Sequence, residues 1–336
     1  MTALDTVTAP AVTRHTSPSR GLVLAMLRLH RTALLFWLGL VVVAAGALLW
    51  AMGPGADAAW AEYTDLGCDQ AAPNLGCDSP GPANSRYQTA VTVAIGLVRL
   101  LPLLTGAWAG GALIGRELEN GTAQLAWTQS VGPARWLAAK LAVPALLLVT
   151  GTLTLTLLHR MLWSADRGAA INVMGWRAWH DTGVFEVNGT IAAAEALAAL
   201  ALGVLAGMLL RRTLPALGVA VLTVMSLVYV LDALRPYLWP VKTVVTSLDD
   251  GTPGIDSMIV ETGAMTASGA RVPIPSCSGE PGCDARTGIT HYYADYHPAS
   301  HFWPLQLMET GLLLAVAALA AATAFVLLRR RTGAAV

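Results

Sequence analysis

Six apolar runs, each close to the ~20 residues that an α-helix needs to cross a hydrocarbon core, dominate this sequence. Thr32–Met52, Leu141–Leu158 and Thr213–Leu231 carry no charge. Ala90–Gly115 carries only Arg99, Ile191–Leu210 only Glu195 and Trp303–Leu328 only Glu309. Strands of a membrane barrel would instead alternate apolar and polar residues in segments of about ten. Lipid offers the backbone no hydrogen-bond partner, so uninterrupted runs of this length are satisfied as helices. Charged residues make up 12% of the chain and hydrophobic ones 55%, which excludes an ordinary soluble domain. The expected fold is all-α: a polytopic membrane protein with about six transmembrane helices.

Orientation follows from the basic residues. With a cytoplasmic N-terminus and alternating sides, the inside holds Arg14, Arg20, Arg28, Arg31, Arg116, Arg135, Lys140, Arg211, Arg212 and Arg329–Arg331. Only Asp5, Glu117 and Glu119 oppose them there, although the formal net charge of the chain is zero. Basic residues near the cytoplasmic ends of spans set topology, so both termini are expected inside and the spans in a plasma membrane. Residues 1–31 read as a tail followed by an interfacial helix or a helical extension of the first span, 32–328 as the transmembrane domain and 329–336 as a second tail. The first run is longer than the apolar core of a cleaved signal and stands well inside the chain, so a retained span is expected. Segments 53–89, 159–190 and 232–302 then face outward, and the last is long enough to contain packed structure of its own.

All four cysteines, Cys68, Cys77, Cys277 and Cys283, fall in these outward segments. Close pairs set among Gly, Pro, Asn and Asp suit disulfides in an oxidising compartment, pairing Cys68 with Cys77 and Cys277 with Cys283. The alternative, a metal held by four thiols, matches usual zinc spacing poorly. His291, Asp295, His297 and His301 cluster before the last run and have the donor chemistry for a transition metal. Tyr292, Tyr293, Tyr296, Phe302 and Trp303 around them favour an aromatic belt at the membrane interface instead.

No phosphate-binding loop of the Gly-x-x-x-x-Gly-Lys-Ser/Thr kind is present, since the lysines are Lys140, followed by Leu141, and Lys242, preceded by Val241. Neither a nucleophile elbow nor a His-Glu-x-x-His zinc motif occurs. The chain reads as a non-enzyme that binds no cofactor itself, and nothing in it calls for a nucleic-acid partner.

Residues 116–140 join the second and third spans. Glu117 and Glu119 begin a short helix, Asn120-Gly121 permits a sharp turn, a second helix starts near Thr122, and Gly132-Pro133 ends it before Arg135-Trp136. Glu119, then Gly121-Thr122, a hydrophobic helix, and Arg135 and Lys140 resemble the coupling region of ABC-2 type transporter permeases. Gly203, Gly207 and the Arg211-Arg212-Thr213-Leu214-Pro215 turn are similar to the same family, and the six-span pattern fits it over nearly the whole chain. The resemblance implies a membrane subunit of an exporter that pairs with a second permease subunit, identical or not. It further implies a separate ABC ATPase subunit that supplies ATP hydrolysis. Glu117, Glu119, Gly121, Thr122 and Arg135 would form the coupling contact, and membrane lipids would surround the spans. The rival reading is a membrane-anchored sensor or assembly factor that transports nothing and displays disulfide-stapled loops.

Arg99, Glu195 and Glu309, with Asp232 at the end of the fifth run, are costly in hydrocarbon and are expected to face the bundle interior. Either they line a transport path or they pair to hold spans together. Arg99 is expected to pair with Glu195, Asp232 or Glu309.

Overall fold

A computed structural model of the chain describes residues 18–67, 81–128, 132–166, 177–250, 257–277 and 283–333. Six helices among them are long and apolar enough to cross a membrane: Arg31–Asp65, Pro82–Glu119, Pro133–Ala165, Ile191–Leu210, Thr213–Tyr237 and Ala299–Thr332. The protein is thus a mostly helical polytopic membrane protein.

Helix α1 (Pro18–Leu29) precedes the first span and buries Met26. The first span is α2 (Arg31–Trp50), a wide π-type turn at Ala51–Gly55 and α3 (Ala56–Asp65). Pro54 lies in that turn, where the missing N–H and the ring of a proline cannot continue an α-helical ladder. The helix therefore widens and runs on past the expected end of the span. Glu62 of α3 then accepts hydrogen bonds from the backbone N–H groups of Ala83 and Asn84, both 2.9 Å, at the start of α4 (Pro82–Trp108). Its carboxylate satisfies the donors that a helix N-terminus leaves open, and Pro82 suits the first helical position.

A second wide turn, Ala109–Gly115, leads from α4 into α5 (Arg116–Glu119) and then α6 (Thr122–Thr128). Helix α7 (Pro133–Asp166) is the third span, and α8 (Thr182–Val187) folds against the bundle before α9 (Ile191–Leu210). Helix α10 (Thr213–Leu234) follows α9 after two residues, the tight hairpin expected from Arg211-Arg212. Arg211 closes α9 in the left-handed region at φ 54°.

Helix α9 is the hub, packed against α4, α7, α10 and α12 (Phe302–Thr332). Its composition explains this position: alanine and glycine let neighbouring backbones approach, which is how helices associate where lipid removes the hydrophobic drive. A Cβ on Gly203 would stand 2.6 Å from the Gly106 carbonyl oxygen, and one on Gly207 would stand 2.8 Å from Ile114. A Cβ on Gly110 would meet the Ala216 carbonyl oxygen at 2.8 Å, so α10 is drawn to the same spot. Exposed Leu35, Phe36 and Val42 of α2, Leu222 and Met225 of α10, and Leu307 and Leu319 of α12 lie on the outer surface of the bundle.

The long segment between α10 and α12 adds what the all-helical reading lacked. It forms an antiparallel sheet, order β1-β4-β2-β3, from β1 (Lys242–Ser247), β2 (Met258–Thr266), β3 (Arg271–Val272) and β4 (Ile289–His297), with α11 (Cys283–Thr287) before β4. β-Branched and aromatic residues supply strand propensity here: Val244 and Thr246 on β1 face Ala294 and Tyr292 on β4. Cys277 and Cys283 form a disulfide beside it. Cys68 and Cys77 lie outside the described residues.

Candidate functional site

At the end of the bundle away from the sheet, the Arg116–Lys140 segment forms the two short helices expected, bent at Gly121 with φ +71°. The space around Gly121 is open, so the backbone conformation alone demands glycine there. Thr122 donates its hydroxyl to the Glu117 carbonyl across the bend, 3.3 Å.

The two carboxylates are both engaged by neighbouring elements, Glu117 half-buried and Glu119 at the surface. Glu117 Oε1 accepts from Lys140 Nζ at 2.6 Å, and the same ammonium donates to the Leu113 carbonyl at 2.9 Å and lies 5.3 Å from the Trp136 ring centre. Lys140 is buried in the core formed by Leu113, Ile114 and Leu137, where an ammonium is tolerable only with such partners. Glu119 Oε2 accepts from the Thr213 backbone N–H at 2.9 Å and its hydroxyl at 2.5 Å. Arg212, at the cap position of α10, has no acceptor to offer, and Glu119 takes that role from another element. One carboxylate thus ties α5 to α7 and the other ties it to the α9–α10 hairpin. Arg331 of α12 donates to the Met208 carbonyl at the same end.

What faces outward is the far side of α6. Leu125 is 62% exposed, beside exposed Gln124 and Thr128, while Ala123 is buried and Trp127 meets Trp136 edge to face at 5.6 Å. Arg135 is exposed as well. Lys140 was foreseeable as a structural residue: a lysine abutting an apolar run has to find a counter-charge when it is buried, and Glu117 is among the few acids at this end.

At the sheet-bearing end the intramembrane charges converge on partners other than those expected. Arg99 Nε donates to Glu186 Oε2 at 2.6 Å, not to Glu195, Asp232 or Glu309. Glu309 receives both Nε (2.8 Å) and Nη2 (3.1 Å) of Arg235, and Asp232 Oδ1 receives its Nη1 at 2.7 Å. Arg235 Nη2 also lies 3.6 Å from Glu186 Oε1, and its guanidinium stands 4.6 Å from the Phe185 ring centre. The expectation failed because α8 and the turn at Arg235–Tyr237 read as outer loop, whereas both fold back onto the bundle and bury Glu186 and Arg235. Val184-Phe185-Glu186-Val187, an acid inside an apolar tetrad, was the available signal. Glu195 is buried and makes no hydrogen bond or ion pair among the described residues.

The histidine and aspartate candidates for a metal do not converge. His297 and His301 share a hydrogen bond, Nδ1 to Nδ1, of 3.0 Å, and His297 Nε2 donates to the Pro236 carbonyl at 2.9 Å. Asp295 is bound by Arg271 (2.6 Å) and Thr243 (2.5 Å), while His291 stands exposed further along β4. Among the described residues no three His, Cys, Asp or Glu side chains form a metal-holding group. Burial opposes ionisation of Asp295, but the Arg271 guanidinium and the Thr243 hydroxyl outweigh it and hold its carboxyl below the usual carboxylate range.

No curated protein and no solved structure matches the chain. The ABC-2 membrane transporter related family matches residues 38–235, more than half of the chain, from the first span through the charge cluster at the end of α10. The glycine-lined hub, the bent segment after the second span and the tight α9–α10 hairpin all lie within that stretch. The chain belongs to the ABC-2 membrane transporter related family and is a membrane transporter component.

Proposed function

We propose that the chain is the membrane-spanning permease subunit of an ATP-driven exporter, working as a pair with a second permease subunit and driven by separate ATPase subunits. Both termini and the Arg116–Lys140 segment face the cytoplasm of a plasma-membrane protein, with the sheet outside. The observation that carries this reading is the construction of the segment: α6, with an exposed Leu125, follows directly across the Gly121 bend from α5, which is held by Lys140 through Glu117 and by Thr213 through Glu119. A partner pressing on α6 meets an apolar anchor on a rigid mount. The mount passes displacement to three spans through two hydrogen-bonded carboxylates.

In this arrangement Leu125, Gln124 and Arg135 form the docking face. Glu117 and Glu119 are positioning residues that transmit, rather than handles that a partner grasps, and Gly121 sets the bend. ATP acts through the partner.

The test is co-purification and ATPase stimulation in lipid with the wild type and Leu125→Asp. The variant is expected to insert and fold as the wild type does, yet to lose most of the ATPase association, because a buried apolar anchor of this kind contributes more than 1 kcal/mol and a charge in its place costs further. Equal association and equal stimulation by Leu125→Asp would refute the docking face.

A further inference from the structure

Among the described residues, the charge cluster at the sheet-bearing end is short of positive charge. Its acids are Glu186 on α8, Glu195 on α9, Asp232 on α10 and Glu309 on α12; its cations are Arg99 on α4 and Arg235 after α10. Helix α7 supplies none to it. His159 Nδ1 is engaged with Asn188 Oδ1 at 2.6 Å, and Arg160 donates to the Asn188 carbonyl at 3.0 Å and stacks over Phe302 and Trp303. The surplus is concentrated on Glu195, which is 6% exposed and has no direct partner among the described residues, while the charges acting on it are those of Glu186, Glu309, Arg235 and Arg99. A buried carboxylate left in that condition is costly, so the group either keeps its proton or takes up a cation.

We propose that this cluster is a binding site for a primary ammonium group, with the Glu195 carboxylate as its main acceptor. The donor and acceptor inventory selects the ligand. Arg235 occupies both oxygens of Glu309, and Arg99 occupies Oε2 of Glu186. The acceptors left without a hydrogen bond among the described residues are the two oxygens of Glu195 and Oε1 of Glu186, the latter buried and 3.6 Å from Arg235 Nη2. An ammonium carries three N–H donors and one positive charge, matching that set. Calcium, which takes six to eight oxygens, and magnesium, which needs an octahedron, do not match it. Access is on the side of Arg99 and Asp232, whose side chains are 46% and 42% exposed, and the flanking residues of α9 are small: Ala192, Ala194, Ala196, Ala198 and Ala199. The site lies at the ends of α9 and α10, the level at which either a soluble amine or the headgroup of phosphatidylethanolamine presents its nitrogen.

The inference stands apart from the coupling reading and is tested on the permease chain alone, full length, in phosphatidylcholine nanodiscs. Thermal unfolding is followed by tryptophan fluorescence at neutral pH with hexylammonium, with hexyltrimethylammonium (same chain and charge, no N–H) and with hexanol. Hexylammonium is expected to raise the midpoint saturably, by about 3 °C at tenfold excess over its Kd, and the other two are not. Glu195→Gln, nearly isosteric, should abolish the rise. In a second arm, nanodiscs containing phosphatidylethanolamine and no added amine give the rise if the lipid headgroup is the natural source; a rise confined to hexylammonium assigns the site to a soluble amine. A rise in Glu195→Gln equal to that of the wild type would overturn the proposal. So would equal shifts with hexyltrimethylammonium, or no shift in either arm. If Glu195→Gln fails to fold, the comparison of the amines on the wild type decides alone.

Discussion

Removing the Glu117 carboxylate should cost more than removing the Lys140 ammonium that it binds. The two side chains differ in their access to water: that of Lys140 is 2% exposed and that of Glu117 15%. In Glu117→Gln the ammonium stays buried among Leu113, Ile114 and Leu137 with only the Leu113 carbonyl, an amide oxygen and the Trp136 ring to face it. Breaking a buried pair in this way costs about 3–5 kcal/mol. In Lys140→Met the apolar stem is kept and the freed carboxylate can rotate toward water, so the loss approaches that of one charged hydrogen bond, about 1.5–3 kcal/mol. The double variant should be less destabilised than the sum of the singles, since neither charge is then stranded. Thermal unfolding in nanodiscs reads the difference as a midpoint drop of about 10 °C for Glu117→Gln and about half of that for Lys140→Met. Equal drops, or strictly additive ones, would mean that the ammonium is served by water or lipid and that the ion pair does not mount the segment.

Three further outcomes are expected. Gly203→Val should prevent stable assembly of the bundle or cost about 3 kcal/mol, because its side chain meets the Gly106 carbonyl and Ala109 at under 3 Å; a folded variant of wild-type stability on size-exclusion chromatography and heating would contradict the backbone contact. Arg211→Gly should raise stability by about 1 kcal/mol, measured as a higher unfolding midpoint, because it removes the strain of a side chain at φ 54°. The Asp295–Arg271 pair should make the sheet acid-sensitive: the carboxyl is held below its ordinary value, so its contribution is present above pH ~4 and is lost as the pH falls below that. Asp295→Asn should abolish that acid transition in circular dichroism while lowering stability at neutral pH.

The bundle was legible because its physics is one-dimensional: a run of apolar residues of sufficient length has to be a helix in lipid, wherever its neighbours are. The bend at Gly121 and the hairpin at Arg211-Arg212 were legible for the same reason, being local. What escaped was non-local. Arg99 was assigned to an acid within the spans, but a six-residue helix of a supposed loop delivered Glu186, and no periodicity announces that a loop will fold inward. Glu119 reads from the sequence only as a coupling contact, and its second role at the empty cap of α10 depends on a helix start far along the chain. The sheet escaped in part because β1 and β4 are separated by nearly the whole outer segment. Alternation in strands as short as Lys242–Ser247 carries little weight until the partner strand is known.

The wide turn at Ala109–Gly115 sets the phase of everything after it. A straight α-helix advances its side chains by ~100° per residue, so a turn that accommodates an additional residue rotates the whole continuation by that angle. Downstream stand Glu117, aimed at α7, and Glu119, aimed at α10, on nearly opposite faces of a single helical turn. Their aim is therefore decided upstream, at glycines whose backbones are pressed against α9 and α10. Loss of one residue from that turn would leave every side chain of the segment intact and point each of them at the wrong helix.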